Sequence, residues 1–184
     1  MPRIEQPAMT YRTARPGEEK DIEGIDNSFT TSFVLEVTAA ETGFTLREVA
    51  VDPPLRKVFP AEEATGDAGE ETGGHTVVAC DATGAVCGAV TVEYARWNRR
   101  LVIADVRVAP EHRGRGVGSA LMSRALDHGR ALGARTAWLE VTSVNAPAVR
   151  AYRRMGFALC GLDTSLYTGT ASEGEQALFM SRSL

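Results

Sequence analysis

The residues best suited to chemistry with an anion are Arg113-Gly114-Arg115-Gly116-Val117-Gly118, in the stretch "APEHRGRGVGSALM". Glycine carries no Cβ, so it permits positive φ and lets a ligand come close to the main chain. The stretch follows an apolar run, "RLVIADVRV", and leads into "GSALMSRALDHGRALGA", so it joins the end of a strand to the start of a helix. A helix N-terminus offers unpaired N–H groups and the positive end of its dipole, a combination that suits a diphosphate. A purely structural turn explains the glycines but leaves the two arginines unexplained.

Two nucleotide motifs compete for this loop. A P-loop needs Lys followed by Ser or Thr after its second glycine, and no lysine is present. A dinucleotide fingerprint, G-x-G-x-x-G, is nearly met by Gly114 and Gly116, but its third position falls on Ser119 instead of Gly118, with no train of βαβ units around it. The second chemical stretch is "WLEVTSVNAPAVRAYRRMGF", which carries Glu140, Asn145 and Tyr152. Tyr152 lies four residues after Ala148 and three before Met155, which places them on one helix face. Taken alone, that tyrosine reads as a core residue of the helix.

The pairing of R-G-x-G-x-G after a strand ending in V-x-P with a later N-x-x-A-x-x-x-Y-x-x-x-G-F resembles the GNAT superfamily of acetyl-CoA-dependent N-acetyltransferases. The resemblance implies an α+β fold: a mixed, mostly antiparallel twisted sheet flanked by helices. It implies that the amides of Arg113, Gly114, Arg115, Gly116, Val117, Gly118 and Ser119 cradle the coenzyme diphosphate. It also implies that the backbone of Val106, Arg107 and Val108 runs beside the pantetheine arm, with Asn145 and Tyr152 approaching from the other side.

Acyl transfer to an amine has a definite requirement. An aliphatic ammonium has a pKa near 10.4, so the neutral nucleophile lies roughly 4.6 kcal/mol uphill at pH 7. A base must take the proton, and the resemblance offers Glu140 acting through water, with Asp105 as the second candidate. Tyr152 is then the acid that protonates the departing thiolate. A backbone N–H for the oxyanion is expected from the stretch Val106 to Val108, freed by a local irregularity.

Segments outside these motifs, among them "SFTTSFVLEVTA", "GFTLREVAVDPPLRKVFP", "WNRRL" and "LCGLDTSLYTGTASEGEQALFMS", look like the streptothricin (nourseothricin) acetyltransferases within that superfamily. That likeness covers nearly the whole chain and implies a polycationic antibiotic as acceptor, acetylated on its β-lysine moiety. Asp26, Glu93, Asp105, Glu140 and Asp163, with Tyr94, Trp97 and Tyr167 as walls, are the residues expected to form an acidic, aromatic-lined cleft for such a cation. Protein N-termini, polyamines and a non-catalytic coenzyme-binding role are the alternatives.

These residues need a scaffold, and the sequence supplies the elements. "YRTARPGEEKDIEGIDNSF" reads as a short strand, a Pro-Gly turn and a helix with Ile22 and Ile25 on one face. "FTLREVAVDPP" reads as a strand stopped by Pro53. "TVVAC" and "AVCGAVTVEY" around "DATG" read as a hairpin. Val117, Leu121, Ala125 and Leu126 give the central helix an apolar stripe. "RTAWLEVTS" is a strand, "APAVRAYRRMGF" a short helix with Pro147 in its first turn and Gly156 at its stop, and "EQALFMSRSL" a last strand. "AEEATGDAGEETGG", residues 61–74, holds five acids and four glycines and reads as a surface loop.

With 184 residues and 43% hydrophobic content, one domain spanning 1–184 is expected. The net charge of −4 argues against nucleic acid as partner. No window approaches the roughly 20 apolar residues of a membrane span, and the first residues lack a secretory signal's apolar core, so a soluble cytoplasmic protein is expected. Cys80, Cys87 and Cys160 are odd in number and lack CxxC spacing, which reads as reduced, buried thiols and no metal. His75, His128 and His112 show no ligand spacing and read as surface or loop residues. A homodimer is compatible with the sequence.

Overall fold

The computed structural model describes residues 9–59 and 74–184, which form two compact units. One holds residues 9–27, 74–135 and 184, and the other holds residues 28–59 and 136–183. The acidic segment falls outside the described residues except for Gly74.

In the first unit, β1 (Thr10–Thr13), β4 (His75–Cys80), β5 (Val86–Ala95) and β6 (Arg100–Val108) pair antiparallel in that order. The β4–β5 hairpin turns on Asp81, whose Oδ1 accepts from the Thr83 and Ala85 N–H groups at 2.8 and 3.1 Å. Helix α2 (Val117–Ala131) packs on β4, β5 and β6. Its predicted stripe of Val117, Leu121, Ala125 and Leu126 is buried, as are Val78, Val90, Val92 and Leu101 on the strands. Truncating one such leucine to alanine costs about 2–5 kcal/mol. Gly88 permits this close packing: a Cβ there would come 3.1 Å from Leu121 Cδ1 and 3.3 Å from Val117 Cγ1. Helix α1 (Glu19–Glu23) is followed by Ile25, which is buried in a cluster with Val78, Cys80 and Ala89.

In the second unit, β7 (Thr136–Thr142), β9 (Ala177–Ser183) and β8 (Ala158–Asp163) pair antiparallel in that order. Ala137, Leu139 and Val141 alternate into the core while Glu140 faces outward, the period-2 pattern of a strand. Helix α3 (Ala146–Arg154) begins at Asn145, has Pro147 in its first turn, and is followed by Gly156 at φ +87°. β2 (Phe29–Ala40) and β3 (Gly43–Lys57) form a long separate hairpin, and α3 contacts β2.

Two expectations need correction here. Pro53 does not stop β3, which continues to Lys57. The register with β2 shifts between Thr31 and Phe33, so the prolines sit in an irregularity where no ladder donor is required. Thr31 Oγ1 accepts from the Phe33 N–H at 3.1 Å and donates to its carbonyl at 2.7 Å, satisfying backbone that the ladder leaves aside. Cys160 lies exposed on β8, because it falls where the register with β9 shifts between Leu159 and Gly161, at the end of an exposed run; Cys80 and Cys87 are buried as expected. Among the described residues no helix is long and apolar enough to cross a membrane.

Candidate active site

The glycine loop lies between the end of β6 and the start of α2. Gly114 and Gly116 adopt φ of +71° and +83°, a region that residues with a Cβ rarely enter. A Cβ at either would meet nothing within 4 Å, so the space over the main chain is open. Gly116 caps α2 with no side-chain hydrogen bond. The N–H groups of the first turn therefore keep the unpaired donors and positive dipole end of a bare helix start. That arrangement fits a diphosphate.

The two arginines of the loop differ. Arg115 is exposed. Arg113 turns back onto the protein: its Nε donates to the Val108 carbonyl at 2.7 Å and its Nη2 to the Asp26 carbonyl. Arg113 thus fixes the loop's shape with its side chain. Asp26 takes part through its carbonyl, and its side chain is exposed.

On β6, Arg107 Nε donates to Asp105 Oδ2 at 2.6 Å and Nη1 to the Glu23 carbonyl at 3.0 Å. Asp105 is therefore ion-paired on its own strand. The register of β5 with β6 shifts between Thr91 and Val92, which pair with Asp105 and Ile103 and leave Ala104 as the extra residue. The irregularity expected near the oxyanion is thus at Ala104, whereas Val106, Arg107 and Val108 pair regularly with Val90, Ala89 and Gly88.

In the second unit, Asn145 Oδ1 accepts from the Ala148 N–H at 3.1 Å, capping α3. Tyr152 is half-buried, with its ring 6.0 Å from Phe157 in an edge-on arrangement. Tyr167 donates from its hydroxyl to Glu140 Oε1, so the structure brings together two of the residues singled out in the sequence. Asp163 Oδ1 accepts from the Ser165 N–H at 2.7 Å and hydroxyl at 2.8 Å, and these bonds hold its carboxyl below the usual range. The expected aromatic walls Tyr94 and Trp97 both belong to the first unit. Tyr94 lines a cavity of about 270 Å³ with Gly74, His75, Val92, Arg96 and His128, an apolar and basic lining. Trp97 is 88% exposed on the β5–β6 turn.

A sequence model of the acetyltransferase (GNAT) family matches residues 40–157. The chain belongs to the GNAT acetyltransferase family. It is 56% identical over 175 residues to the streptothricin acetyltransferase of Streptomyces lavendulae, covering 93% of each chain. It is 57% identical to the crystal structure of nourseothricin acetyltransferase, with a TM-score of 0.88 over 96% of this chain and 98% of that one. A Bacillus anthracis protein solved in complex with acetyl coenzyme A shares the fold at 20% identity, with a TM-score of 0.78. The GNAT fold, a mixed and mostly antiparallel sheet with few flanking helices, is the α+β class expected from the sequence.

Several residues that the structure brings together were not singled out in the sequence. Lys57 Nζ donates to Glu175 Oε1 at 2.6 Å and to Ser172 Oγ at 2.8 Å, and Thr142 Oγ1 donates to Glu175 Oε2. The Lys57 and Glu175 side chains are only 11% and 16% exposed. No local motif marks a pair 118 positions apart, so only the fold discloses it. His75 and His128 are a further correction: they are half-buried on β4 and in α2 instead of lying in loops, and their rings stack with centroids 3.7 Å apart. A periodicity argument could have found this, since His128 lies within α2 near its inward face and His75 opens β4.

Proposed function

We propose that this protein transfers the acetyl group of acetyl-CoA to an amine of streptothricin-type antibiotics and so confers resistance to them, with the β-lysine moiety as the part acetylated. The observation that carries this reading is identity of more than half the residues, over nearly the full length of both chains, with streptothricin acetyltransferase. The open glycine cradle at the start of α2 supports it by providing a seat for the coenzyme diphosphate.

The amides from Arg113 to Ser119 hold the diphosphate, and the backbone of Val106, Arg107 and Val108 aligns the pantetheine arm. Glu140 accepts one proton from the substrate ammonium, through water, leaving a neutral amine. The amine nitrogen then bonds to the thioester carbonyl carbon. As the C–S bond breaks, Tyr152 gives its phenolic proton to the thiolate sulfur, and the second proton of the attacking nitrogen passes through water to the tyrosinate, so that a neutral amide and a restored phenol remain. The backbone irregularity at Ala104 is the candidate oxyanion donor. Asp105, bound by Arg107, is assigned to substrate binding, together with Asp26, Asp163, Tyr94, Trp97 and Tyr167, as an acidic, aromatic-lined cleft for the cation.

Residues 1–184 act as a single acetyltransferase domain in the cytoplasm, where reduced Cys80, Cys87 and Cys160 are at home. The partner is a small cationic amine, with neither nucleic acid nor membrane required, and a homodimer is as compatible with the task as a monomer. Incubation of the pure protein with acetyl-CoA and streptothricin tests the reading. Mass spectrometry is expected to show one acetyl group added to the antibiotic. Acetylation of a peptide N-terminus or a polyamine instead would overturn the substrate. Tyr152→Phe is expected to lower kcat by about 100-fold with coenzyme affinity nearly kept. Coenzyme binding without turnover in the unaltered protein would mark a regulatory module.

A further inference from the structure

We infer that Tyr167 is a positioning residue for Glu140, and that Lys57 holds it there by clamping the segment in which it lies. The inference rests on the proposed role of Glu140 as the base.

Glu140 sits on the outward side of β7, and its side chain has no wall of core residues to fix it. A glutamate in that setting samples many rotamers, and only some direct a carboxylate oxygen at an incoming ammonium. The Tyr167 hydroxyl donates to Oε1, which restricts those rotamers and leaves Oε2 for the proton. Two aromatic torsions position a phenol with little entropy to lose. Tyr167 lies in the connection between β8 and β9, however, and that connection contains no helix or strand. It must be made rigid by other means.

The structure shows how. At the start of the connection, the Asp163 carboxylate closes a turn on Ser165. In the middle, the Tyr167 carbonyl accepts from the Thr170 N–H at 3.1 Å and from the Thr170 hydroxyl at 2.8 Å. At the end, Ser172 and Glu175 are gripped by Lys57 from β3, and Glu175 also accepts from Thr142, two residues beyond Glu140 on β7. Gln176 exchanges backbone and side-chain bonds with Ser143. The connection is thus tied at its far end to the same strand that carries Glu140. An ion pair as enclosed as Lys57–Glu175 is a weak contributor to net stability, since desolvation offsets attraction, but it fixes geometry. Its place beside the base points to that geometric role.

A double-mutant cycle tests this. Glu140→Gln is expected to lower kcat by about 100-fold. Tyr167→Phe is expected to lower kcat about tenfold while KM for acetyl-CoA and the melting temperature stay near their original values. Made together, the second change is expected to add less than about twofold, because the group it positions no longer acts as a base. Lys57→Met should reproduce the tenfold loss and lose its effect in the Glu140→Gln background, and Lys57→Arg should restore most of the rate. A Tyr167→Phe effect that persists undiminished in the Glu140→Gln background overturns this inference and leaves the base assignment standing. If Glu140→Gln leaves kcat intact, the base assignment fails and the inference fails with it. Full activity in Tyr167→Phe also overturns it.

Discussion

Gly118, in the first turn of α2, faces Val108 at the end of β6: a Cβ built on Gly118 would lie 3.7 Å from Val108 Cγ2, an ordinary van der Waals distance. The protein's own packing therefore does not require glycine there, and its φ is not positive. Gly118 lies among the first-turn amides that the proposed cradle presents to a diphosphate, and a methyl group there would crowd that approach. Gly118→Ala is expected to leave the melting temperature unchanged or slightly higher, since alanine is the better helix former by up to about 1 kcal/mol. Affinity for acetyl-CoA is expected to fall at least about tenfold, corresponding to one lost charge-assisted hydrogen bond. Calorimetric titration beside a thermal melt reads both. An unchanged affinity would show that the coenzyme binds elsewhere.

Arg113 and Arg115, two residues apart, are expected to fail in different ways. The Arg113 guanidinium is spent on the Val108 and Asp26 carbonyls and so acts on loop shape. Arg113→Met should weaken coenzyme binding by the same factor at low and high salt. Arg115 is exposed, so its charge is screened by salt. Arg115→Met should weaken binding at low salt only, with the difference vanishing near 1 M salt. Titrations at two ionic strengths separate the two, and identical salt profiles would contradict the assignment.

The stacked pair His75 and His128 makes the first unit sensitive to acid. Burial, and secondarily the neighbouring His128, holds the His75 imidazole below its ordinary 6.5. The unfolded chain then binds the extra proton more readily than the folded one once pH falls below 6.5. Stability is fully present above that value and declines as pH drops towards the depressed folded value. His75→Gln is expected to flatten this decline, so that melting curves taken from about pH 7.5 down to about pH 5.5 diverge from those of the unaltered protein only in the lower half. Parallel curves throughout would rule out a role for the pair.

The first unit was legible because its signals are local. The Val117, Leu121, Ala125 and Leu126 stripe, the Asp81 turn and the glycine loop each announce themselves within a few residues. β3 was misjudged at Pro53 because a strand's tolerance of proline depends on which edge needs donors, and that is settled by the partner strand's register. The same holds for the site. Tyr152 and Asn145 stood out through the motif shared with the family, but the contacts of Arg113, Lys57 and Glu175 depend on carbonyls and carboxylates far away in sequence. Asp105 shows the limit from the other direction: its type and position suggested a base, and a neighbour two residues along its own strand holds it in an ion pair.

Asn145 caps α3, and the contact with the coenzyme arm proposed for it can be tested apart from that cap by substitution. Its Oδ1 accepts from the Ala148 N–H and caps α3, the helix that carries Tyr152. Loss of such a cap costs about 1 kcal/mol, and fraying of the first turn would also loosen Tyr152 further along the helix. Asn145→Ala should therefore lower the melting temperature and kcat together. Asn145→Asp retains an acceptor for the cap and adds a charge that the helix dipole favours, so the melting temperature should stay or rise slightly. If the remaining amide group of Asn145 also donates to the coenzyme arm, the aspartate loses that donor and affinity for acetyl-CoA falls despite a sound helix. A stable Asn145→Asp protein with unaltered coenzyme affinity would reduce this residue to a cap alone, and the pantetheine contact would have to come from elsewhere on α3.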